Sequence, residues 1–363
     1  MTREIGSEAG EAASDPAPRK GGVYTARQLV DRGLVGSGDL ADIERVCGEF
    51  SLAITKEMVE LIDSDGAADP IAAQFVPDPR ELTTLASELH DPIGDDRFTP
   101  VKGVTHRYPD RVLLKPVHIC PVYCRFCFRR EKVGAGGDGN LSAAELDAAL
   151  DYIRRNENIW EVILTGGDPL ILSPRKIGTI IRALDAIEHV KIIRIHTRVP
   201  VVDPTHIDED MVAALSVETA LYVVLHANHV REMTQQSKAA IARLVFAGIP
   251  MLSQSVLLRG VNDNTEALRA LFKCFLENRV KPYYLHHGDL ARGTSHFRTT
   301  IEEGQRILRA LRGSSSGLCQ PHYVLDIPGG AGKVPIGPNY LAQSPDGTIV
   351  EDDRGRPHKY ADK

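Results

Sequence analysis

Residues 120–128, CPVYCRFCF, place three of the chain's six cysteines within eight positions. These are Cys120, Cys124 and Cys127. The N-terminal stretch MTREIGSEAGEAASDPAPRK lacks the apolar region of a secretory signal, so we predict a cytoplasmic protein. Thiols stay reduced in that compartment, and clustered cysteines there bind metal more often than they form disulfides. The segment therefore predicts a metal site.

The bulk composition is that of a soluble globular protein, with 42% hydrophobic and 25% charged residues. The net charge of −6 argues against nucleic acid or an anionic membrane surface as a partner. No stretch of the sequence is long and apolar enough to span a bilayer. We therefore expect neither a nucleic-acid partner nor a membrane partner.

Composition and periodicity divide the chain into four regions. Residues 1–20 have the Ala, Gly, Ser, Glu and Pro content of a disordered tail. Residues 21–100 form an N-terminal helical region, with a helical pattern from about Val23 to Asp65 and a Pro- and Asp-rich, partly helical remainder. Residues 101–312 alternate short apolar runs with helical ones, and residues 313–363 form a C-terminal segment.

The alternating region predicts about six βα units and therefore a parallel sheet covered by helices. The predicted strands are RVLLKPVHI, EVILTGG, KIIRIHT, ALYVVLHA, MLSQSVLL and KPYYLHHG. Ser142 and Glu145 form a capping box at the start of one intervening helix. A closed eight-fold barrel would need about two more units, so we predict an α/β fold with an open partial (β/α)6 barrel.

Chemistry in such folds lies at the C-terminal ends of the strands. The residues at or near the predicted ends are Cys120, Gly166, Gly167, His196, His226, Gln254 and Asp289.

The three clustered thiols are compatible with two kinds of metal site. Zinc takes four ligands, and His118 or Cys319 could supply the fourth. A [4Fe–4S] cluster has four irons, each normally held by a cysteine, so three cysteines leave one iron open to a substrate or cofactor. The zinc alternative would describe a zinc-stabilised, non-enzymatic interaction protein on an α/β scaffold.

The C-terminal segment contains a glycine-rich loop that ends in a lysine, within LDIPGGAGKVPIGPNY (325–340). The loop is not a P-loop, because Val334 follows Lys333 where a Ser or Thr would be required. A lysine freed by glycines can instead form a Schiff base with pyridoxal phosphate (PLP). Arg107, Tyr108 and Arg111, in THRYPDR (105–111), are the candidate phosphate partners.

The spacing C-x-x-x-C-x-x-C, with an aromatic residue before the last cysteine, resembles the radical S-adenosylmethionine (SAM) superfamily. In that superfamily the open iron chelates the amino and carboxylate groups of SAM. The turn LTGGDPLIL (164–172) resembles the glycine-rich strand that holds the SAM amino group. The resemblance implies SAM contacts from Gly166, Gly167, Asp168, His226 and Gln254.

Several motifs in order resemble one family within that superfamily, the lysine 2,3-aminomutases. They are HRYPDRVLL, CPVYCRFCFRR, LTGGDPL, QSVLLRGVND, PYYLHHGDLARGTSHFRT, LRGSSSG and PGGAGK. The resemblance implies a radical SAM barrel, a [4Fe–4S] cluster, SAM, PLP on Lys333, and isomerase activity. It also implies a reducing partner such as flavodoxin or ferredoxin.

The family resemblance also suggests the substrate. Asp289 and Asp326 resemble the two aspartates that receive the distal amine of free lysine, and Arg129 resembles the residue that holds its carboxylate. Two carboxylates suit one buried ammonium and would repel glutamate. We therefore expect transfer of the 2-amino group of L-lysine to C3, which gives β-lysine.

Lysine attached to elongation factor P is the alternative substrate, because this chain is short like that branch of the family. The branch usually lacks an Asp326-type residue and the full PGGxGK loop. The longer lysine enzymes carry a C-terminal cysteine group that binds structural zinc, whereas no cysteine follows Cys319 here. We therefore expect no such zinc site, and a homo-oligomer is left open.

Overall fold

The structure is a computed structural model that describes residues 20–63, 69–134, 139–345 and 347–361. The predicted tail, apart from Lys20, lies outside the described residues. The strands are β1 (Val104–Tyr108), β2 (Arg111–Val117), β3 (Glu161–Gly166), β4 (Ile192–Thr197), β5 (Ala220–His226), β6 (Met251–Val256), β7 (Val280–His286), β8 (His322–Ile327), β9 (Gly332–Pro335), β10 (Leu341–Ser344), β11 (Gly347–Glu351) and β12 (Pro357–Tyr360). The helices are α1 (Ala26–Asp31), α2 (Leu40–Glu49), α3 (Lys56–Val59), α4 (Ala72–Phe75), α5 (Ala143–Arg155), α6 (Pro174–Asp185), α7 (Val199–Val202), α8 (Glu209–Ala214), α9 (Gln235–Phe246), α10 (Thr265–Glu277) and α11 (Ile301–Ser314). No helix in these described ranges is long and apolar enough to cross a bilayer.

A nine-stranded sheet runs in chain order from β1 to β9. Strands β2 to β8 are parallel neighbours, and β1 and β9 pair antiparallel at the two edges. Helical crossovers follow each parallel strand from β2 to β7. The predicted partial (β/α)6 barrel is thus confirmed, with β8 as a further parallel strand.

Local sequence signals set the helix ends in the barrel as predicted. Ser142 and Glu145 form the capping box of α5, and Pro174 begins α6 behind the N-cap Ser173. The strands between the helices are apolar and buried, as expected for a parallel sheet covered by helices. Val162 on β3 and Ile193 on β4, for example, are fully buried in the main hydrophobic core.

The N-terminal region is less helical than its sequence pattern suggests. The helical pattern predicted from about Val23 to Asp65 corresponds, over its described residues to position 63, to three separate helices, α1, α2 and α3. Val23 pairs with Ile54 in an antiparallel bridge, which fixes extended backbone inside the predicted helix. Gly33 ends the first piece with φ of +68°, a conformation that favours glycine. The boundaries of the four sequence regions stay a prediction.

The two edges of the nine-stranded sheet come together across a short N-terminal segment. The backbone N–H of Lys333 on β9 donates to Tyr108 Oη on β1 at 2.8 Å. Gly329 N donates to Pro92 O at 3.1 Å. A Cβ on Gly94 would lie 2.7 Å from the backbone of Gly329, so only glycine fits this approach. The barrel is therefore nearly closed.

A buried ion-pair group attaches the cysteine loop to the N-terminal region. Glu81 accepts from Arg125 Nη2 at 2.7 Å and also pairs with Arg130. Arg125 Nη1 donates to Ser51 O, and Arg125 N donates to Gln74 O. Burial would raise the pKa of Glu81, but the two arginines outweigh it and lower the pKa. Glu81 is therefore an ionised anchor beneath the cysteine loop.

Replacing Glu81 by Gln removes the charge shared by two buried arginines. Breaking a buried pair by removing one partner typically costs about 3–5 kcal/mol, so we expect Glu81→Gln to lose free energy of unfolding in that range. The measurement is urea denaturation of the purified protein. Glu60→Gln is the control, because the exposed Glu60 lies 3.5 Å from Lys56 Nζ and such surface pairs contribute at most about 1 kcal/mol. Equal denaturation midpoints for the two variants would contradict the anchoring role.

Candidate active site

One cavity of about 580 Å³ lies inside the barrel and contains the candidate site. Every residue that the sequence analysis selected as a cofactor or substrate contact lines it. They are Cys120, Cys124, Cys127, Gly166, Gly167, Asp168, His226, Gln254, Arg107, Tyr108, Arg111, Arg129, Asp289, Asp326 and Lys333. The structure thus brings together side chains that are spread over more than 200 positions of the sequence.

The three clustered cysteines follow β2 and face the cavity together. Burial and the neighbouring thiolate of Cys124 raise the pKa of Cys127 to about 11. Burial, Asp168 and the other two thiolates raise the pKa of Cys120 well above its ordinary value. Three thiolates crowded in this way repel one another until a cation binds them, which fits an iron–sulfur cluster.

The alternative zinc site lacks a fourth ligand. His118 Nδ1 lies 2.7 Å from Gly139 O, and Cys319 is buried in the main hydrophobic core. Across the described parts of the chain, no three His, Cys, Asp or Glu side chains are arranged to hold a single metal ion. The donor set therefore suits a multi-iron cluster better than a zinc ion.

The glycine turn after β3 packs directly against the backbone that leads into the cysteine loop. Gly167 N donates to Val117 O at 2.7 Å, and Asp168 N donates to Ile119 O at 3.0 Å. A Cβ on Gly167 would lie 2.3 Å from Ile119 O, so a side chain here would displace the loop. These N–H groups are already bonded, so a SAM amino group, which donates, would need acceptors in this turn.

Asp168 links the ends of β3 and β4. Its carboxylate accepts from Thr197 Oγ1 at 2.7 Å, Arg198 N at 2.6 Å and Leu170 N at 3.1 Å. Burial raises the pKa of Asp168 despite these bonds. The Asp168 carboxylate accepts hydrogen bonds from protein donors and so connects the ends of β3 and β4. A contact between Asp168 and SAM stays a prediction.

Two histidines offer unoccupied ring nitrogens to the cavity. His226 lies beside Gln254 in the register of β5 and β6. The Nε2 atoms of His226 and His196 are buried and lack hydrogen-bond partners in the described structure. Burial holds the pKa of both histidines well below the ordinary value, so both rings are neutral at pH 7. Buried polar atoms without a partner indicate a site for a polar ligand, consistent with bound SAM.

An ammonium–carboxylate pair lies at the β8–β9 hairpin. Asp326 and Lys333 are opposite each other in the ladder, and Lys333 Nζ donates to Asp326 Oδ2. His286 Nδ1 lies 3.2 Å from Lys333 Nζ. Burial would raise the pKa of Asp326, but His286 and Lys333 outweigh it and hold that pKa far below its ordinary value. Asp326 is therefore ionised and already occupied by an ammonium.

Asp289 behaves differently from Asp326. Burial and the negative charge of Asp326 raise the pKa of Asp289 to about 7, although Lys333 and Arg129 oppose the shift. The Asp289 carboxyl therefore loses its proton near neutral pH and not in the acidic range. Of the two carboxyl groups predicted to bind the substrate amine, only Asp326 is fully ionised before the substrate ammonium binds.

Arg129 is held in place by a carboxylate that the sequence analysis missed. Arg129 Nε and Nη2 donate to Asp95 Oδ2 at 3.0 and 2.9 Å, and Nη1 lies 3.4 Å from Thr165 Oγ1. Asp95 is 1% exposed and also pairs with Arg107 at 3.2 Å. It lies in the Pro- and Asp-rich segment, where no periodic pattern marks it.

The predicted phosphate partners lie on the β1–β2 hairpin. The first predicted strand, RVLLKPVHI, begins at Arg111, but the structure has an earlier strand, β1, over Val104–Tyr108. The Arg111 guanidinium stacks 3.9 Å from the Tyr108 ring centre, and Arg107 Nε is buried without a partner. Arg111 begins β2 and the cysteine loop follows its end, so the cavity extends along a strand about 20 Å long. The expectation that site residues lie at the C-terminal ends of the strands therefore does not locate the predicted phosphate partners.

Two further cavity residues lie at C-terminal strand ends, where functional residues are expected, but they were not among the predicted site residues. His286 ends β7, and Arg198 directly follows β4. Strands β8 and β9, which carry Asp326 and Lys333, were not predicted as strands, because glycines and prolines interrupt the apolar pattern around 328–337.

Comparisons with known proteins agree with the geometry. The family model described as "Radical SAM superfamily" matches residues 114–272 of this chain, and the family model described as "Lysine-2,3-aminomutase" matches residues 308–362. The L-lysine 2,3-aminomutase of Clostridium subterminale is 42% identical over 305 residues, which are 84% of this chain and 73% of that protein. The L-lysine 2,3-aminomutase of Methanococcus maripaludis is 42% identical, over 83% of this chain and 69% of that protein. The glutamate 2,3-aminomutase of Clostridioides difficile is 38% identical, over 82% of this chain and 70% of that protein.

These similarities confirm the family that the motifs predict. They imply the cluster and SAM of the superfamily and the PLP of the aminomutases, and they leave the non-enzymatic zinc alternative without support. The chain belongs to the lysine 2,3-aminomutase family of radical SAM isomerases.

Proposed function

We propose that this protein moves the 2-amino group of free L-lysine to C3 and so produces β-lysine. The observation that carries the proposal is the partly buried ammonium already bound at Asp326, with Asp289 as a second carboxyl whose pKa is influenced by both groups. A site that accepts the Lys333 ammonium has the charge and hydrogen-bond acceptors for the ammonium of a lysine substrate. The side-chain carboxylate of glutamate would be repelled there.

The cofactors would divide the cavity along its length. Cys120, Cys124 and Cys127 would hold the cluster, and the ends of β3, β5 and β6 would hold SAM. Lys333 would hold PLP, with Arg107, Tyr108 and Arg111 near its phosphate. When bound there, the cluster and SAM supply the radical, and PLP supplies the electron sink for nitrogen transfer.

The protein's own side chains would orient the substrate and exclude water. Arg129, fixed from behind by Asp95, would grip the substrate carboxylate in bidentate geometry. Asp326 and Asp289 would hold the distal ammonium, so the reacting carbons lie between two anchored ends. The buried walls keep bulk water from the radical.

The charges predict how the site changes when lysine binds. Without PLP, one ammonium, that of Lys333, faces one ionised carboxylate, that of Asp326. With PLP on Lys333, the distal ammonium of the substrate would take that place beside Asp326. A substrate ammonium near Asp289 would favour the ionised form of that carboxyl, so lysine binding should release a proton near pH 7. The cytoplasmic location, a flavodoxin- or ferredoxin-type electron donor and the oligomeric state stay predictions.

The first test is substrate conversion by anaerobically purified protein with SAM, PLP and a strong reductant. We expect β-lysine from free L-lysine. L-Glutamate should react at least about two decades more slowly in kcat/KM, because the mismatched charge costs about 2–5 kcal/mol. Asp326→Asn should lower kcat/KM for lysine by a similar factor, whereas basal SAM cleavage stays unchanged. Conversion of a lysine on elongation factor P, with free lysine ignored, would overturn the proposal.

The second test locates PLP on the chain. Borohydride reduction of the protein loaded with PLP should fix the label on Lys333, since the glycines before it allow the lysine to reach the cavity. Lys333→Ala should lose the label and all turnover but keep the absorbance of the cluster near 400 nm. Lys191→Ala is the matched control, because Lys191 is exposed and outside the cavity. A label mapped by peptide mass spectrometry to another lysine would refute the assignment.

The third test uses the raised pKa of Asp289. The pKa of about 7 means that this carboxyl is neutral below pH 7 and charged above it. Lysine affinity should therefore rise from pH 6 to pH 8, with KM falling by up to about tenfold per pH unit below the pKa. Asp289→Asn should flatten this dependence. Titration calorimetry in two buffers of different ionisation enthalpy should detect the released proton, and an unchanged pH slope in Asp289→Asn would rule out Asp289 as the titrating group.

A further inference from the structure

The guanidinium of Arg198 lies against one of the three cluster cysteines. Arg198 Nη1 donates to Cys124 Sγ at 2.9 Å. We propose that Arg198 is a positioning residue that raises the reduction potential of the iron–sulfur cluster by presenting a fixed positive charge and an N–H donor to the Cys124 sulfur. The proposal concerns the cluster alone and is therefore independent of which amino acid the protein isomerises.

The three cysteines are not equivalent in their surroundings. Backbone groups of Asp168 and Arg129 oppose the rise in the pKa of Cys120 and of Cys127, respectively. Among the hydrogen bonds of the described residues, only Cys124 accepts from a charged side chain. Hydrogen bonds to the sulfurs and the local charge are among the factors that set iron–sulfur reduction potentials. Cys124 is therefore the ligand on which a charged side chain acts by direct contact.

Arg198 is held too firmly to move away from the sulfur. Its Nη2 atom donates to Glu232 Oε2 at 2.6 Å and to Gln74 Oε1 at 2.5 Å. The guanidinium carbon lies 4.6 Å from the Phe75 ring centre and 5.8 Å from that of Phe126. Because the residue is only 4% exposed, its charge is weakly screened by solvent.

The carboxylate that pairs with Arg198 lies on the side away from the cluster ligand. Glu232 binds Nη2, whereas Nη1 faces the sulfur. Glu232 also accepts from Asn228 N and His229 N, both at 2.9 Å, so its charge is shared with other donors. In the Arg198–Glu232 ion pair, it is thus the guanidinium that faces the cluster ligand Cys124. In agreement, Arg198 is the strongest influence that opposes burial on the pKa of the Cys124 thiol.

The sign of the effect follows from the charge of the two oxidation states. Reduction by one electron from the protein's external donor adds one negative charge to the cluster. A fixed cation next to a ligand favours the more negative state, so it raises the potential. Loss of Arg198 should make the cluster harder to reduce, and loss of Glu232 should make it easier to reduce.

The test is the midpoint potential of the reconstituted cluster without SAM, followed by electron paramagnetic resonance at controlled solution potentials. For Arg198→Met we expect the ratio of reduced to oxidised cluster at a given potential to fall about tenfold, a midpoint about 59 mV more negative. Arg198→Lys should shift less in the same direction. Glu232→Gln should shift the midpoint to less negative values.

The controls separate this effect from general damage to the fold. The double variant Arg198→Met with Glu232→Gln leaves no unpaired buried charge, so it tests the potential in a charge-balanced interior. Arg231→Met breaks another, more exposed ion pair, at 3.0 Å from Asp69, without touching a cysteine, and the cluster of this variant should have the midpoint potential of the wild type. Iron content and a denaturation curve are measured for each variant.

Unchanged midpoints in Arg198→Lys and Glu232→Gln, with full iron content, would overturn the proposal. Equal shifts in Arg231→Met and Arg198→Met would also overturn it, because the effect would then not depend on contact with the sulfur. If Arg198→Met fails to hold iron, the opposite shifts expected for Arg198→Lys and Glu232→Gln still decide the outcome.

Discussion

The ion pairs between Glu81 and two arginines of the cysteine loop are the interaction on which the site depends. A barrel strand ends at Val117, and the chain beyond it must hold three thiols above the barrel without regular secondary structure. Arg125 and Arg130 both lie within that loop, and their common carboxylate comes from the N-terminal region. Burying these charges is costly, and the pairing offsets the cost only in one geometry. The anchor therefore fixes the loop position as well as its stability.

The same arrangement recurs around the cavity. Arg129 faces the cavity with Asp95 behind it, and Arg198 faces Cys124 with Glu232 behind it. Both of these arginines have a buried carboxylate on the side opposite their proposed partner. The carboxylate keeps the guanidinium oriented, so the protein does not reorganise when a ligand arrives. Such preorganisation suits a reaction in which a radical must be held away from side reactions.

The sequence reveals the barrel and the cavity residues at its strand ends because both follow local rules. Alternating apolar runs and caps such as Ser142 mark the βα units, and the ends of these strands mark Gly166, His226 and Gln254. The supporting residues follow no local rule. Glu81 lies 44 positions from Arg125, and Asp95 lies 34 positions from Arg129, so their pairing exists only in the fold. Strand β8 was missed because its short run of six residues leads directly into the Gly- and Pro-rich segment 328–337, and its parallel pairing with β7 exists only in the fold.

The pairing of Lys333 with Asp326 has a consequence for the order in which the protein is assembled. Lys333 ends in the same ammonium group as free lysine, and the β8–β9 hairpin holds it beside that carboxylate. A tethered group competes at an effective concentration set by the chain, in the millimolar range or above for short tethers. On the proposed assignment, the unloaded protein therefore inhibits itself at the amine subsite. Attachment of the cofactor to Lys333 removes this internal competitor, so the protein admits substrate only after it has been loaded.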